Sequence, residues 1–168
     1  MSALAGAEFT TISDYPSPAI IHNIEKNVNR NLHDKGVYSP ISVQGHQWGM
    51  ITDDFSQHHA HSFTRILCAD CLWMDGEHEN LLCSLQHFLA PEATACIIAG
   101  FHTGRAIVVS FFDKALKAGF EFEKMWEQDH YGEKRPWDPC RKDCDNYIDE
   151  RSKWLVIAIL MRRQDTAP

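Results

Sequence analysis

Phe9-Thr10-Thr11-Ile12-Ser13-Asp14-Tyr15-Pro16-Ser17-Pro18 holds a strand, the end of that strand and the start of a helix. Phe9 to Ile12 is rich in β-branched residues and suits a short strand, and Ser13-Asp14-Tyr15-Pro16 turns the chain. Ser17 offers an N-cap oxygen, and Pro18 stands at the first helical position, where its missing N–H costs nothing. Ile20, Ile21, Ile24 and Val28 then recur at helical spacing, which predicts one apolar face and a helix ending near Asn31.

Working outward, Ile41 to Val43 reads as a brief strand followed by the turn Gly45-His46-Gln47-Trp48-Gly49. Ile51 to Ser62 is polar and histidine-rich, a loop or a short helix. Arg65 to Ala69 is an apolar run that suits a buried strand, and Glu77 to Leu89 is an amphipathic helix through Leu81, Leu82, Leu85 and Phe88. Thr94 to Ala99 is another buried strand. A helix from Arg105 to Ala118 stops at Gly119, where a left-handed residue ends helices. Phe120 to Trp126 and Lys153 to Met161 read as two strands, with a polar excursion, His130 to Arg151, between them.

Strands alternating with helices predict an α/β fold with a mostly parallel sheet covered on both faces. The last two strands lack an intervening helix, so they are expected to pair antiparallel at one edge. That pair separates the pattern from a plain dinucleotide-binding fold. A length of 168 residues suits a single domain, residues 1–168.

The formal charge of −7 argues against non-specific nucleic-acid binding, which needs a basic surface, and is compatible with a basic protein partner. The longest apolar run, Trp154 to Met161, is too short to span a bilayer. With no targeting segment legible in Met1 to Ala7, a cytoplasmic protein is the default, with the nucleus as the other option. The six cysteines are expected to be reduced. Cys68 and Cys71 form a CxxC, Cys140 and Cys144 a CxxxC, and His58, His59 and His61 lie nearby in sequence. One CxxC is a weak zinc signal, and Cys68 sits in the apolar run Ile66–Ala69, so core filling is favoured and no metal is expected.

Ligands of open α/β sheets bind beyond the carboxyl ends of the strands. Asp14 follows the first strand, where a carboxylate can accept both hydroxyls of a ribose; a turn aspartate before Pro16 is the competing reading, and spacing does not separate the two. Trp48 could stack on a purine or pack against the sheet, and spacing alone favours packing. Asp70 and Trp73 follow the third strand, where an acid and an aromatic can orient an amine and wall its channel; a helix cap is the alternative for Asp70. His78 and the turn Gly100–Arg105 lie on the same side. His102 could act as a base, although a lone histidine on a turn is more often simply solvated.

Ile12-Ser13-Asp14-Tyr15-Pro16-Ser17-Pro18, Asn27-Val28-Asn29, Gly45-His46-Gln47-Trp48-Gly49, Ala69-Asp70-Cys71-Leu72-Trp73 with His78, and the closing Trp154–Arg163 strand occur in an order that resembles one family. It is the class I S-adenosylmethionine-dependent methyltransferases, in the nicotinamide N-methyltransferase-like group that includes the fungal elongation factor 1-alpha N-terminal and lysine methyltransferase. The resemblance covers nearly the whole chain and implies a Rossmann-like sheet with an antiparallel edge pair. It implies that Asp14 holds the cofactor ribose and that Trp48 lies beside the adenine, with Tyr15 and Ala69 as further cofactor-side positions. Asp70 to Trp73 matches the acid-x-x-aromatic motif of the target-nitrogen site, which makes Asp70 and Trp73 the candidate catalytic pair.

The cofactor implied is S-adenosylmethionine. The reaction implied is displacement of its methyl group by an amine, in which positioning supplies most of the rate. The acceptor implied is a lysine or N-terminal amine of a basic protein such as a translation elongation factor, or a small nitrogenous metabolite. Members of the family open with a strand and a glycine-rich loop, and Met1 to Ala7 instead resembles the end of the helix that follows that loop. The first strand and first helix are therefore expected to be largely missing, the strand from between Phe9–Ile12 and Arg65–Ala69, and cofactor binding is expected to be weak. An inactive methyltransferase-like subunit that completes its sheet in a homo- or hetero-oligomer is the alternative, with a pocket repurposed for another metabolite as a third reading.

Overall fold

The computed structural model describes residues 2–32, 40–142 and 152–163. The chain forms two compact units, Met1–Met50 and Ile51–Pro168.

In the first unit, the β-branched stretch becomes β1 (Thr10–Asp14), and the Ser17-Pro18 signal starts α1 (Pro18–Leu32). The Ser17 carbonyl accepts the first helical bond, from Ile21 N at 3.0 Å. The chain returns as β2 (Ile41–Gly45), parallel to β1, with Thr10 opposite Ile41 and Asp14 opposite Gly45. This is the predicted strand–helix–strand unit, with the first strand running on through Asp14. A Cβ added to Gly45 would lie 2.8 Å from the Pro16 Cβ and 2.9 Å from its Cα. Only glycine lets the strand end pass so close to the start of the crossover. Ahead of β1, residues Ala3–Ala5 make a single 3₁₀ turn that ends at left-handed Gly6.

In the second unit, Asp53 caps α2 (Asp54–His58), its carboxylate accepting from Ser56 N at 2.9 Å. Next come β3 (Phe63–Ala69), a 3₁₀ turn at Asp75–Glu77, and α3 (His78–Phe88). They are followed by β4 (Leu89–Gly100), α4 (Arg105–Lys117), β5 (Phe120–Asp129), β6 (Lys134–Pro136) and β7 (Trp154–Arg162). The sheet order is β3-β4-β7-β5-β6. β4 runs parallel to β3, whereas β7 is antiparallel to both of its neighbours and β6 is antiparallel to β5.

The sheet of this unit is thus mostly antiparallel, not mostly parallel as expected. β5 and β7 do pair antiparallel, but β7 inserts between β4 and β5, and β6 takes the edge. β6 lies inside the polar excursion and is too short to show a hydrophobic period. β4 also begins earlier than expected. The register slips between the Phe63–Leu89 and Arg65–Thr94 pairs, and the irregularity takes up Pro91 and Glu92, whose φ is +59°.

Ala93, Ala95, Ile97 and Ala99 of β4 and Val156, Ala158 and Leu160 of β7 are buried at alternate positions. Leu81, Leu82, Leu85 and Phe88 of α3 and Val108, Phe111, Phe112 and Ala115 of α4 are buried as well. At about 1.5–3 kcal/mol for each large apolar side chain removed from water, this core is the main favourable term for the unit. It holds the carboxyl ends of β3 and β4 in fixed positions.

Candidate functional site

Parallel pairing in the first unit brings the ends of β1 and β2 side by side, so Asp14 and the Gly45–Gly49 turn leave the sheet at the same end. Asp14 is exposed, and its Oδ1 accepts from the amide of Tyr15 at 2.7 Å. Its carbonyl accepts from His46 N at 2.8 Å, which ties the two strand ends together. A carboxylate with one main-chain donor keeps lone pairs for the two hydroxyls of a ribose. Tyr15 is 57% exposed, too open for a packed core residue. Trp48 is half-buried in a turn closed by a Met50 N to Gln47 O bond, with Gly49 at a φ of +82°. These residues have the chemistry that the nucleoside part of the implied cofactor requires.

In the second unit, Ala69 ends β3 opposite Ile98 of β4 and is exposed. Asp70 follows in a left-handed conformation, φ +56°, fixed by its N–H donating to Ile98 O at 2.7 Å. Aspartate tolerates this region better than most residues. Asp70 does not cap a helix, because Met74 and Glu77 precede the next helical turns. Its Oδ1 lies 3.3 Å from His102 Nε2, and both side chains are more than half exposed. His102 folds back over Gly100, where a Cβ would lie 2.6 Å from Nε2. The histidine on the β4 turn therefore has a carboxylate partner from the β3 turn.

Trp73 is 57% exposed, whereas Leu72 beside it is buried. Buried His78 props this loop from below: its Nε2 lies 2.9 Å from Leu72 O and its Nδ1 3.4 Å from Asp75 Oδ1. Its ring meets Phe111 edge to face. Asp75 in turn accepts from Ser110 Oγ and Lys114 Nζ, each at 3.0 Å. The Lys114 and Ser110 hydrogen bonds hold its carboxyl below the ordinary value. The acid and the aromatic are thus presented outward by a loop anchored to α3 and α4.

Cys68 is buried in β3, and the hydrogen bond with Cys71, together with burial, raises its thiol well above the ordinary value. That environment suits an inert core thiol. Among the described residues, no group of three or more His, Cys, Asp or Glu side chains is placed to hold a metal ion. Cys144, the partner considered for Cys140, lies outside the described residues. No helix among the described residues is long and apolar enough to cross a membrane.

Two arrangements are not legible from local spacing. One is the Asp70–His102 contact. The other is the buried pair of Arg105 with Glu127, with Nη1 at 2.6 Å from Oε1 and Nη2 at 3.2 Å from Oε2. Arg105 also stacks on Phe101, 4.3 Å from its centroid, and locks the helix that follows the His102 turn. An arginine at a helix start beside a glycine gave no sign of a carboxylate partner far along the chain.

Residues 2–118 match the model of a family described as lysine methyltransferase. The protein N-terminal and lysine N-methyltransferase efm7 of Schizosaccharomyces pombe is 30% identical over 139 residues, 76% of this chain and 52% of that protein. The chain spans about half the length of the curated relatives it matches. Among solved structures, a TehB-like SAM-dependent methyltransferase from Corynebacterium glutamicum superposes with a TM-score of 0.59 at 14% identity, covering 92% of this chain and 68% of that one. A SAM-dependent methyltransferase from Methanosarcina mazei gives 0.61 at 11% identity, with 96% and 86% covered. The fold is the mixed α/β, Rossmann-like fold of these enzymes.

Proposed function

We propose a function on the premise that this chain belongs to the lysine methyltransferase family: it serves S-adenosylmethionine-dependent transfer of a methyl group to a lysine or N-terminal amine of a protein. A translation elongation factor is the acceptor we propose. Asp14, with Tyr15 beside it, would hold the ribose, Trp48 would face the adenine, and Ala69 would border the cofactor. Asp70 and Trp73 would receive the acceptor nitrogen. When bound, S-adenosylmethionine would supply an electrophilic methyl carbon for displacement by the acceptor nitrogen. The protein's part is to align a neutral amine and exclude water, which is where rate is gained in such displacements.

The observation that carries this reading is the Asp70–Trp73 loop. It sets an exposed carboxylate and an exposed indole at the carboxyl end of β3 and anchors both through buried Leu72 and His78. The residues named serve the nucleoside end of the cofactor, so we expect these 168 residues to bind it more weakly than micromolar.

The test is incubation of the chain with an elongation factor and methyl-labelled S-adenosylmethionine at high concentration, followed by peptide mass spectrometry. The expected result is label on a lysine or N-terminal nitrogen. Label confined to a small amine, or absent altogether, would overturn the proposal.

One observation favours a second reading, a subunit completed by a strand from another chain. β1 pairs only with β2 and β3 only with β4 among the described residues, and Leu67 on β3 is 63% exposed. Open edges with apolar side chains invite pairing. A monomer by light scattering would remove this alternative.

A further inference from the structure

We infer that the groove along α4 is a docking site for an acidic, extended segment of a protein partner. The groove has a volume of about 550 Å³ and runs between α4 and the segment Pro139–Lys142. Among the described residues, Arg105, Lys114, Lys117, Arg141 and Lys142 line it, against one lining carboxylate, Asp113. The chain as a whole carries −7, so this strip is opposite in sign to the rest of the molecule. Complementary charge of this kind selects partners and speeds their encounter.

The groove is built on fixed groups. Arg105, 3% exposed, is held by Glu127 and donates to Asp138 O at 3.0 Å. Arg135 Nη2 and Arg141 Nε approach the same buried carboxylate, at 2.7 and 3.6 Å. Three guanidinium groups converging on Glu127 fasten the 135–141 segment beside α4. Lys114 is anchored by Asp75, while Lys117 and Lys142 stand exposed at the rim.

The dimensions decide the class of ligand. From Arg105 to Lys117 the helix rises about 18 Å at 1.5 Å per residue. That span matches about five residues of extended chain at 3.3 Å each, and a single phosphate would meet only a part of it. Val109 and Pro139 supply apolar wall between the cations, as a peptide with alternating side chains requires. Asp75, two residues beyond Trp73, joins the groove wall to the Asp70–Trp73 loop. A protein docked on α4 would therefore also reach the rim where β3 ends. The inference goes beyond the methyl-transfer reading and does not rest on it, because docking is read without any turnover.

The experiment is fluorescence anisotropy with a labelled peptide alternating Glu and Ala, compared with a Gln and Ala control, on the full chain at low and physiological salt. The acidic peptide is expected to bind and the control to fail, with affinity falling as salt screens the charges. Lys117→Glu with Lys142→Glu is expected to weaken binding by about tenfold or more, since both are rim charges that leave the buried network intact. Lys26→Glu on α1 is expected to leave binding unchanged. Equal binding of the two peptides, no loss in the double variant, or equal loss in Lys26→Glu would overturn the inference. So would binding of tripolyphosphate without binding of the peptide, which would mark a small-anion site.

Discussion

Met1–Met50 buries only Ala3 and His46 among its described residues, whereas Ile51–Pro168 buries a continuous set that includes Phe101, Phe111, Phe120, Leu85 and Leu160. Both units end their strands in an exposed carboxylate, Asp14 in one and Asp70 in the other. They hold those acids by different means. Asp14 depends on a five-residue parallel ladder, on the close pass of Gly45 over Pro16, and on a helix none of whose residues is fully buried. Asp70 depends on a packed sheet, two buried helices and a charge network. The first end is set by backbone geometry and the second by side-chain packing, so the two should fail under different substitutions.

The largest expected effect is in the second unit. Phe111→Ala empties a fully buried position and should cost about 4 kcal/mol. Ile24→Ala on α1 should cost about 1 kcal/mol, because Ile24 is only partly buried on a helix none of whose residues is fully buried. Urea unfolding of the two variants makes the comparison, and equal losses would break it.

Next in size, Glu127→Ala leaves Arg105 buried without its carboxylate and should cost about 3 kcal/mol in the same assay. Gly45→Ala should cost about 2 kcal/mol, since the new methyl meets Pro16 backbone that cannot move aside. Amide hydrogen exchange should show that loss confined to β1 and β2.

Two smaller effects sharpen the picture. Cys140 is exposed and should react with a thiol reagent well before Cys68, whose raised thiol is buried in β3. The lowered Asp75 carboxyl gives a pH effect of definite sign. Its folded value lies below the unfolded one, so its contribution is present above about pH 4 and is lost as pH falls through the folded value. Asp75→Asn should therefore lower the urea midpoint near neutrality, with the gap from the unchanged protein closing in acid.

The strand ends were readable because each closes on a chemically specific cluster. Asp14-Tyr15-Pro16 and Asp70-Cys71-Leu72-Trp73 follow β-branched or apolar runs; α1 shows its period and its Ser17-Pro18 start, α3 its apolar period, and α4 its stop at Gly119. The position of β7 was not readable, since order along the chain does not encode order across a sheet. β6 stayed hidden because Lys134-Arg135-Pro136 is too short to carry a hydrophobic period. Its pairing with β5 sets Arg135 opposite Glu127, a contact that only the fold creates. The Asp70–His102 contact joins turns after two different strands, so nothing local to either announces it.

Whether Asp70 positions an acceptor amine is tested most directly by Asp70→Asn. Asparagine tolerates the same left-handed backbone, so the loop is kept while the charge is removed. Single-turnover transfer of labelled methyl to an elongation factor, at equal cofactor concentration, should fall by about a hundredfold, as expected when an amine is no longer aligned. Transfer by Asp70→Asn at the rate of the unchanged chain would contradict the assignment of this strand end as the site of methyl transfer.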